Sequence, residues 1–190
     1  CTQLILGAGA TRSAGLKNIT TRHLALAAQA LSFISTLIPY VREFVRRIAG
    51  TGANVNHGVL ASLMGEFDKV KRLYQEHQNS IYDKLVEIMS GRAAAHTKTM
   101  KGLDWDRPPA GEGEATVDVF METLVKETVT LHRVLSKHLP EGTVLYIMKQ
   151  IFESYKVQFG KALQGMEVQQ DHGIKRYVPA EARSWWRSDC

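Results

Sequence analysis

Apolar positions along this chain recur at helical rather than strand spacing. The clearest run is TTRHLALAAQALSFISTLIPYVREFVRRI, where Leu24, Leu31, Ile38 and Val45 stand seven apart and Ala27, Ile34, Val41 and Ile48 interleave three residues later. This a/d seam, held over four heptads, predicts one helix from about Thr21 to Ile48. Thr20 or Thr21 suits its N-cap, Arg46 and Arg47 suit its last turn, and Gly50 and Gly52 end it. Pro39 removes the donor for the Ser35 carbonyl, which predicts a kink. Phe33, Leu37, Tyr40 and Phe44 add a second apolar flank, expected to be covered by neighbouring helices.

Leu24 to Val41 holds no charged residue over eighteen positions, which is also the length of a short membrane span. Gln29, Ser32, Ser35, Thr36 and Pro39 dilute it, and lipid does not require heptad order. A buried bundle helix is therefore the better expectation.

A second helix is predicted from about Val59 to Ala95, with Leu60, Leu63, Phe67, Val70, Tyr74, Ile81, Leu85 and Ile88 on its seam. At ~1.5 Å per residue it reaches roughly 55 Å, which points to a rod-like bundle. His77 falls on that seam, either as a pH-sensitive or ligand position or as a satisfied histidine at the core edge. Gly102, Pro108, Pro109, Gly111 and Gly113 mark a long loop. Glu112, Glu114 and Asp118 then lead a third helix with Val117, Phe120, Leu124, Thr128, Leu131 and Leu135 on its seam. Pro140, placed for a first turn, opens a fourth with Val144, Met148, Ile151, Phe152, Tyr155, Phe159 and Leu163. The fold expected is all-α, an elongated antiparallel helical bundle. Residues 1–15 are expected to end a preceding helix, 16–167 to form the bundle, and 168–190 to be a tail that is flexible or folded back. In that tail Trp185 and Trp186 lie between Arg183 and Arg187, a pattern that also suits a docking peptide or interfacial anchor.

Charge changes the picture only at the N-terminal end. Of the net +5 of the 190 residues, residues 1–56 alone carry +5, with Glu43 their one acid. Such a segment suits anionic lipid or an acidic partner, or is simply a basic face of a soluble bundle. The two cysteines, Cys1 and Cys190, form no framework or metal motif, and a reducing setting is the natural expectation. A chain starting on Cys rather than Met also reads as a piece of a longer protein.

The first candidate for chemistry is LILGAGATRSAG, where an apolar run precedes Gly7, Gly9 and Gly15. A dinucleotide fingerprint starting at Gly7 needs glycine at position 12, where Arg12 stands, and an acid about 20 residues on. A phosphate loop needs four residues between its glycines and a following lysine. Gly9 and Gly15 enclose five, and Leu16 follows. The stretch reads better as a helix with Leu4, Ala8 and Thr11 on one face, small residues for close approach, and Gly15 as its stop. The seven histidines make no HxxxH or HExxH pair, and no GxSxG elbow occurs. No catalytic, cofactor-binding or metal-ligating residue is named, and nucleic-acid binding lacks an aromatic-studded basic motif.

CTQLILGAGATRSAGLKNITTRHLALAAQ (Cys1–Gln29) resembles the start of the C-terminal domain of the vacuolar protein sorting 54 family, through LILGAGA, GLK with IT, and LAL. KLVEIM (Lys84–Met89), LPE (Leu139–Glu141) and SYK (Ser154–Lys156) are similar too. The likeness covers most of residues 1–165, while the loop at 102–113 and the tail from about 168 depart from the pattern. It implies a non-catalytic subunit, without cofactor, of the Golgi-associated retrograde protein (GARP) tethering complex. Such a subunit acts in retrograde transport from endosomes to the trans-Golgi network. Its implied partners are the other GARP subunits, with SNARE proteins and small GTPases at the level of the whole complex. Its implied place is peripheral, on the cytoplasmic face of the trans-Golgi network and endosomes, with the membrane reached indirectly. The rival expectation is a peripheral membrane-binding module that contacts anionic lipid through its basic N-terminal third, with Arg12, Lys17 and Arg22, and through the basic tail.

Overall fold

The computed structural model describes residues 20–51, 56–105 and 118–165. They form four helices: α1 (Thr21–Gly50), α2 (His57–Lys101), α3 (Val119–His138) and α4 (Glu141–Gln164), with no strand among the described residues. The all-α expectation holds. The expected helix end at residues 1–15, the proline-rich part of the long loop, and the tail with Trp185 and Trp186 lie outside the described residues.

Each helix starts where its sequence supplies acceptors for the first N–H groups. Thr20 precedes α1; its carbonyl accepts from the N–H groups of His23 (3.0 Å) and Leu24 (3.3 Å). His23 Nδ1 accepts in turn from the Thr20 N–H at 3.1 Å, a reciprocal cap with histidine in the glutamate position. Asn56 Oδ1 accepts from Gly58 and Val59, both at 3.1 Å, and so starts α2. The Asp118 carbonyl receives Met121 and Glu122 at the start of α3. Pro140 stands one place ahead of its expected position, as the cap before α4 rather than in its first turn, and its carbonyl receives Thr143 and Val144.

α1 is one continuous helix from Thr21 to Gly50 with Pro39 inside it. α2 continues six residues past Ala95, since Ala93, Thr97 and Met100 extend the buried row at spacings of four and three. Its 45 residues make a helix of about 68 Å.

The helices contribute to two compact units. The first comprises the described residues of Cys1–Met89 with Val129–Ile151. Here α1 and α2 run antiparallel: Gln78 donates to the Ala28 carbonyl near one end, and Arg42 pairs with Asp68 at 3.5 Å near the other. His138 Nδ1 lies 3.2 Å from Gln29 Oε1, which brings the end of α3 beside the start of α1. The core is Leu24, Leu31, Ile38, Met64, Ile81, Leu85, Leu131, Leu135, Ile147 and Ile151 with their smaller neighbours. Ile147, wholly buried, was absent from the expected seam of α4.

The second unit comprises the described residues of Ser90–Thr128 with those from Phe152 onward. Met100, Phe120 and Ala162 centre its core, with Leu103, Trp105, Met121, Phe159 and Leu163 packed around them. Trp105 donates its indole N–H to the Met100 carbonyl at 3.1 Å, which ties the chain leaving α2 back to its last turn. Phe152, expected on the seam, is exposed.

Candidate interaction surface

The two sides of α1 differ. Leu24, Ala28, Leu31, Ser35 and Ile38 are buried, at spacings of four and three. This inner seam keeps the expected row Leu24–Leu31–Ile38, but the second row differs. Ala28 and Ser35 point inward, whereas Ile34, Val41 and Ile48 are exposed. The reason is steric: small side chains at alternate seam positions let the neighbouring helix approach, and bulky β-branched residues there would hold it away.

Two residues further round, Leu26, Ala30, Phe33, Leu37, Tyr40 and Phe44 repeat the same four-three spacing on the opposite side. Phe33 is 68%, Tyr40 72%, Phe44 63% and Ile48 60% exposed. The flank expected to be covered is open. Ile34, Val41 and Ile48 widen it on one shoulder, while Gln29, Ser32 and Thr36 make the other polar. No charged side chain interrupts it between Leu24 and Val41.

The C-terminal end of this face is closed by charge that is internally paired. Glu43 accepts from Arg46 through Nε and Nη2, each at 2.7 Å, and from Arg47 Nε at 3.0 Å. These guanidinium bonds hold the Glu43 carboxyl down at about 2. At neutral pH the cluster carries one net positive charge on a polar edge.

α1 is also long and apolar enough to cross a membrane by length and composition, with a window of mean hydropathy 1.6 of which 33% is buried. That value sums both seams. The inner one is occupied by protein, so a membrane reading of the whole helix would require the first unit's core to open.

A second polar constellation lies in the second unit. Arg92 Nη1 stands 2.8 Å from Glu127 Oε1, His96 Nε2 lies 3.6 Å from Glu127 Oε2, and the His96 ring sits 6.4 Å from that of Phe120. Thr128 donates to the Leu124 carbonyl at 2.7 Å and lies 3.0 Å from the Tyr155 hydroxyl, whose pKa burial pushes up. Ser90 and Ser154 share a 2.7 Å bond, and Gln158 donates to both Ser90 O and Ser154 Oγ. Glu127 is paired with Arg92 through Oε1 while its buried Oε2 has no hydrogen-bond partner, and the hydroxyls are engaged, so the constellation ties three helix segments together within its unit. His77, weighed as a ligand position, bonds through Nδ1 to the Leu73 carbonyl of its own helix at 2.7 Å, as a satisfied histidine does. Among the described residues no three His, Cys, Asp or Glu side chains gather as a metal site. Arg12 and Lys17 of the expected basic patch lie outside the described residues.

The outer seam was written in the sequence as a period but not as a surface. Its residues were visible as apolar; nothing in one helix's pattern says which side its partner occupies.

Comparison with known proteins adds identity to this geometry. The family model described as Vps54-like protein matches residues 1–92, which include α1 and most of α2. The vacuolar protein sorting-associated protein 54, chloroplastic, of Arabidopsis thaliana is 37% identical over 178 residues, 92% of this chain. The vacuolar protein sorting-associated protein 54 of Homo sapiens is 29% identical over 172 residues, 90% of this chain, and that of Caenorhabditis elegans 29% over 168 residues, 88% of it. The chain spans 16%, 16% and 14% of those relatives' own lengths, respectively. No solved structure matches it.

Proposed function

The chain belongs to the Vps54-like family, and on that premise we propose that it is a non-catalytic segment of a tethering-complex subunit that works by protein–protein recognition. Its relatives are named for vacuolar protein sorting. The finer role is retrograde transport from endosomes to the trans-Golgi network, within the GARP complex and peripheral to the membrane. The other complex subunits are its proposed neighbours, and SNARE proteins and small GTPases are partners of the whole assembly.

The open outer seam of α1 carries this reading. A heptad-ordered row of Phe33, Leu37, Tyr40 and Phe44 is more order than solubility needs, and burying each such side chain stabilises a complex by ~1.5–3 kcal/mol. Recognition by a helix in a groove or seam uses anchors at this spacing. The tethering subunit supplies a rigid helix, fixed from behind by its inner seam, and the partner covers the front.

The test replaces the endogenous full-length protein with one carrying Phe44→Asp and Ile48→Asp. Both side chains are exposed, so abundance is expected to stay normal while endosomal cargo fails to return to the trans-Golgi network. Normal cargo return would refute the recognition role of this face.

A further inference from the structure

We propose that α1 and α2 of the first unit form an apolar groove beside the outer seam, and that its occupant is one helix of a protein partner, apolar on one face and acidic next to it. The proposal rests on the recognition reading above and gives that partner its shape and charge.

Two contacts set the register of the antiparallel pair. Gln78 meets the Ala28 carbonyl, and Asp68 meets Arg42. The packed seam between the helices is marked by buried Leu31, Ser35 and Ile38 on α1 and by buried Met64 on α2. Successive residues step about 100° round each helix, so this seam has two flanks. One is polar, with Ser32 and Thr36 on α1, the Arg42–Asp68 pair across it, and Gln75 on α2. On the other stand Ile34, Val41 and Ile48 of α1 and Val59, Leu63 and Val70 of α2. In this register Val70 falls between the levels of Ile34 and Val41, and Leu63 between those of Val41 and Ile48. Ile48 and Val59 are level. These six side chains thus interleave as two walls, yet each is 36% to 64% exposed.

The shoulder of the outer seam is therefore one wall of a groove, and α2 supplies the other. Two heptad-ordered walls suit a third helix, as each helix of a bundle packs on two neighbours. From Ile34 to Ile48 the groove runs ~21 Å, about four turns, which sets the least length of the occupant. A lipid surface needs no such interleaving. Charge then selects the kind of helix. Residues 34–48 and 59–73 carry six cations, Arg42, Arg46, Arg47, Lys69, Lys71 and Arg72, against three acids, Glu43, Glu66 and Asp68. All three acids are paired within the same two helices, which leaves Lys71 and Arg72 without an acid among the described residues. A second copy would set this surplus against itself, whereas an acidic helix offsets it.

The test places the photocrosslinker p-benzoylphenylalanine at Val41, Val70 or Gln75 of the full-length protein in cells and sequences the crosslinked peptides. Val41 and Val70 should both mark one segment of one partner, at residues three or four apart with acids beside them. Gln75, on the polar flank, should not mark it. Leu63→Asp with Val70→Asp should cut the Val41 crosslink by about tenfold. Lys71→Glu with Arg72→Glu, which leaves both walls intact, should cut it roughly threefold. Crosslinks to lipid, to a second copy or to a basic segment would overturn the proposal. So would a silent Val41 or Val70, the same segment marked from Gln75, or an unchanged Val41 yield in either variant. If Val70 is silent while Phe44→Asp with Ile48→Asp still blocks cargo return, the groove falls and the recognition role of α1 stands. Normal cargo return in that variant removes the recognition reading itself.

Discussion

The inner and outer seams of α1 share one helix and one spacing, yet they are built for different jobs. Inside, Leu24, Leu31 and Ile38 alternate with Ala28 and Ser35, so large side chains interlock while small ones admit the next helix. Outside, the large positions are aromatic at Phe33, Tyr40 and Phe44, and they stand in solvent. Aliphatic residues of fixed shape suit a permanent core, whereas aromatic anchors put much apolar area on few rotatable bonds and suit a contact made later. A seam is thus defined by what its composition permits to cover it, and spacing alone does not tell the two apart.

The largest break in that comparison should come from Leu31→Ala. Leu31 is buried, and truncation is expected to cost ~2–5 kcal/mol through lost transfer energy and a cavity. Urea denaturation would report it. Phe44→Asp, thirteen residues on and 63% exposed, should leave the same curve within about 0.5 kcal/mol. A comparable loss from both would erase the distinction between the seams.

Two buried hydroxyls at seam positions sharpen it. Thr128 bonds Leu124 and faces Tyr155, so Thr128→Val should cost ~1 kcal/mol and strand the phenol. Ser35 Oγ, buried on the inner seam of α1, has no such partner. Ser35→Ala should therefore be neutral or slightly stabilising, and a clear loss of stability would show a bond that the geometry lacks.

Titration gives smaller effects. Burial raises the pKa of Tyr82 and Tyr155 in the folded protein. Their contribution is thus complete below the ordinary tyrosine pKa near 10 and is lost as pH rises through the higher folded value. Melting temperature should fall across that range, and less steeply in Tyr155→Phe. Glu43 has the opposite sign: its lowered pKa makes its arginine fork complete at neutral pH, and the fork is lost as pH falls toward about 2. Because the fork is exposed, carbon-13 NMR of the carboxyl is the suitable readout, and a midpoint near 4 would contradict the geometry.

α3 was fully legible over its described seam. Phe120, Leu124, Thr128, Leu131 and Leu135 are all buried, while the valines off that row, Val119, Val125 and Val129, are exposed. α1 was legible as a helix and half legible as a surface. With apolar residues on both sides, periodicity could not choose between Ala27 and Ala28, or between Ile34 and Ser35, as the packed row. At the second pair the small Ser35 packs, because helix separation, which hydropathy does not measure, decides the fit. Leu63 and Val70, expected on the seam of α2, are exposed, while Met64 next to Leu63 is buried. The polar ties of Glu127 and of Ser90 with Ser154 were invisible, since each joins residues far apart in the chain.

Hydroxyl-radical footprinting of Tyr40 and Phe44, in the isolated chain and in the purified full-length complex, tests the central claim most directly. Both side chains should react readily in the isolated chain and be strongly protected in the complex, while buried Tyr82 and half-buried Tyr155 react weakly in both. Equal reactivity of Tyr40 and Phe44 in the two preparations would mean that no partner covers the outer seam, and the account of α1 as a recognition helix would fall.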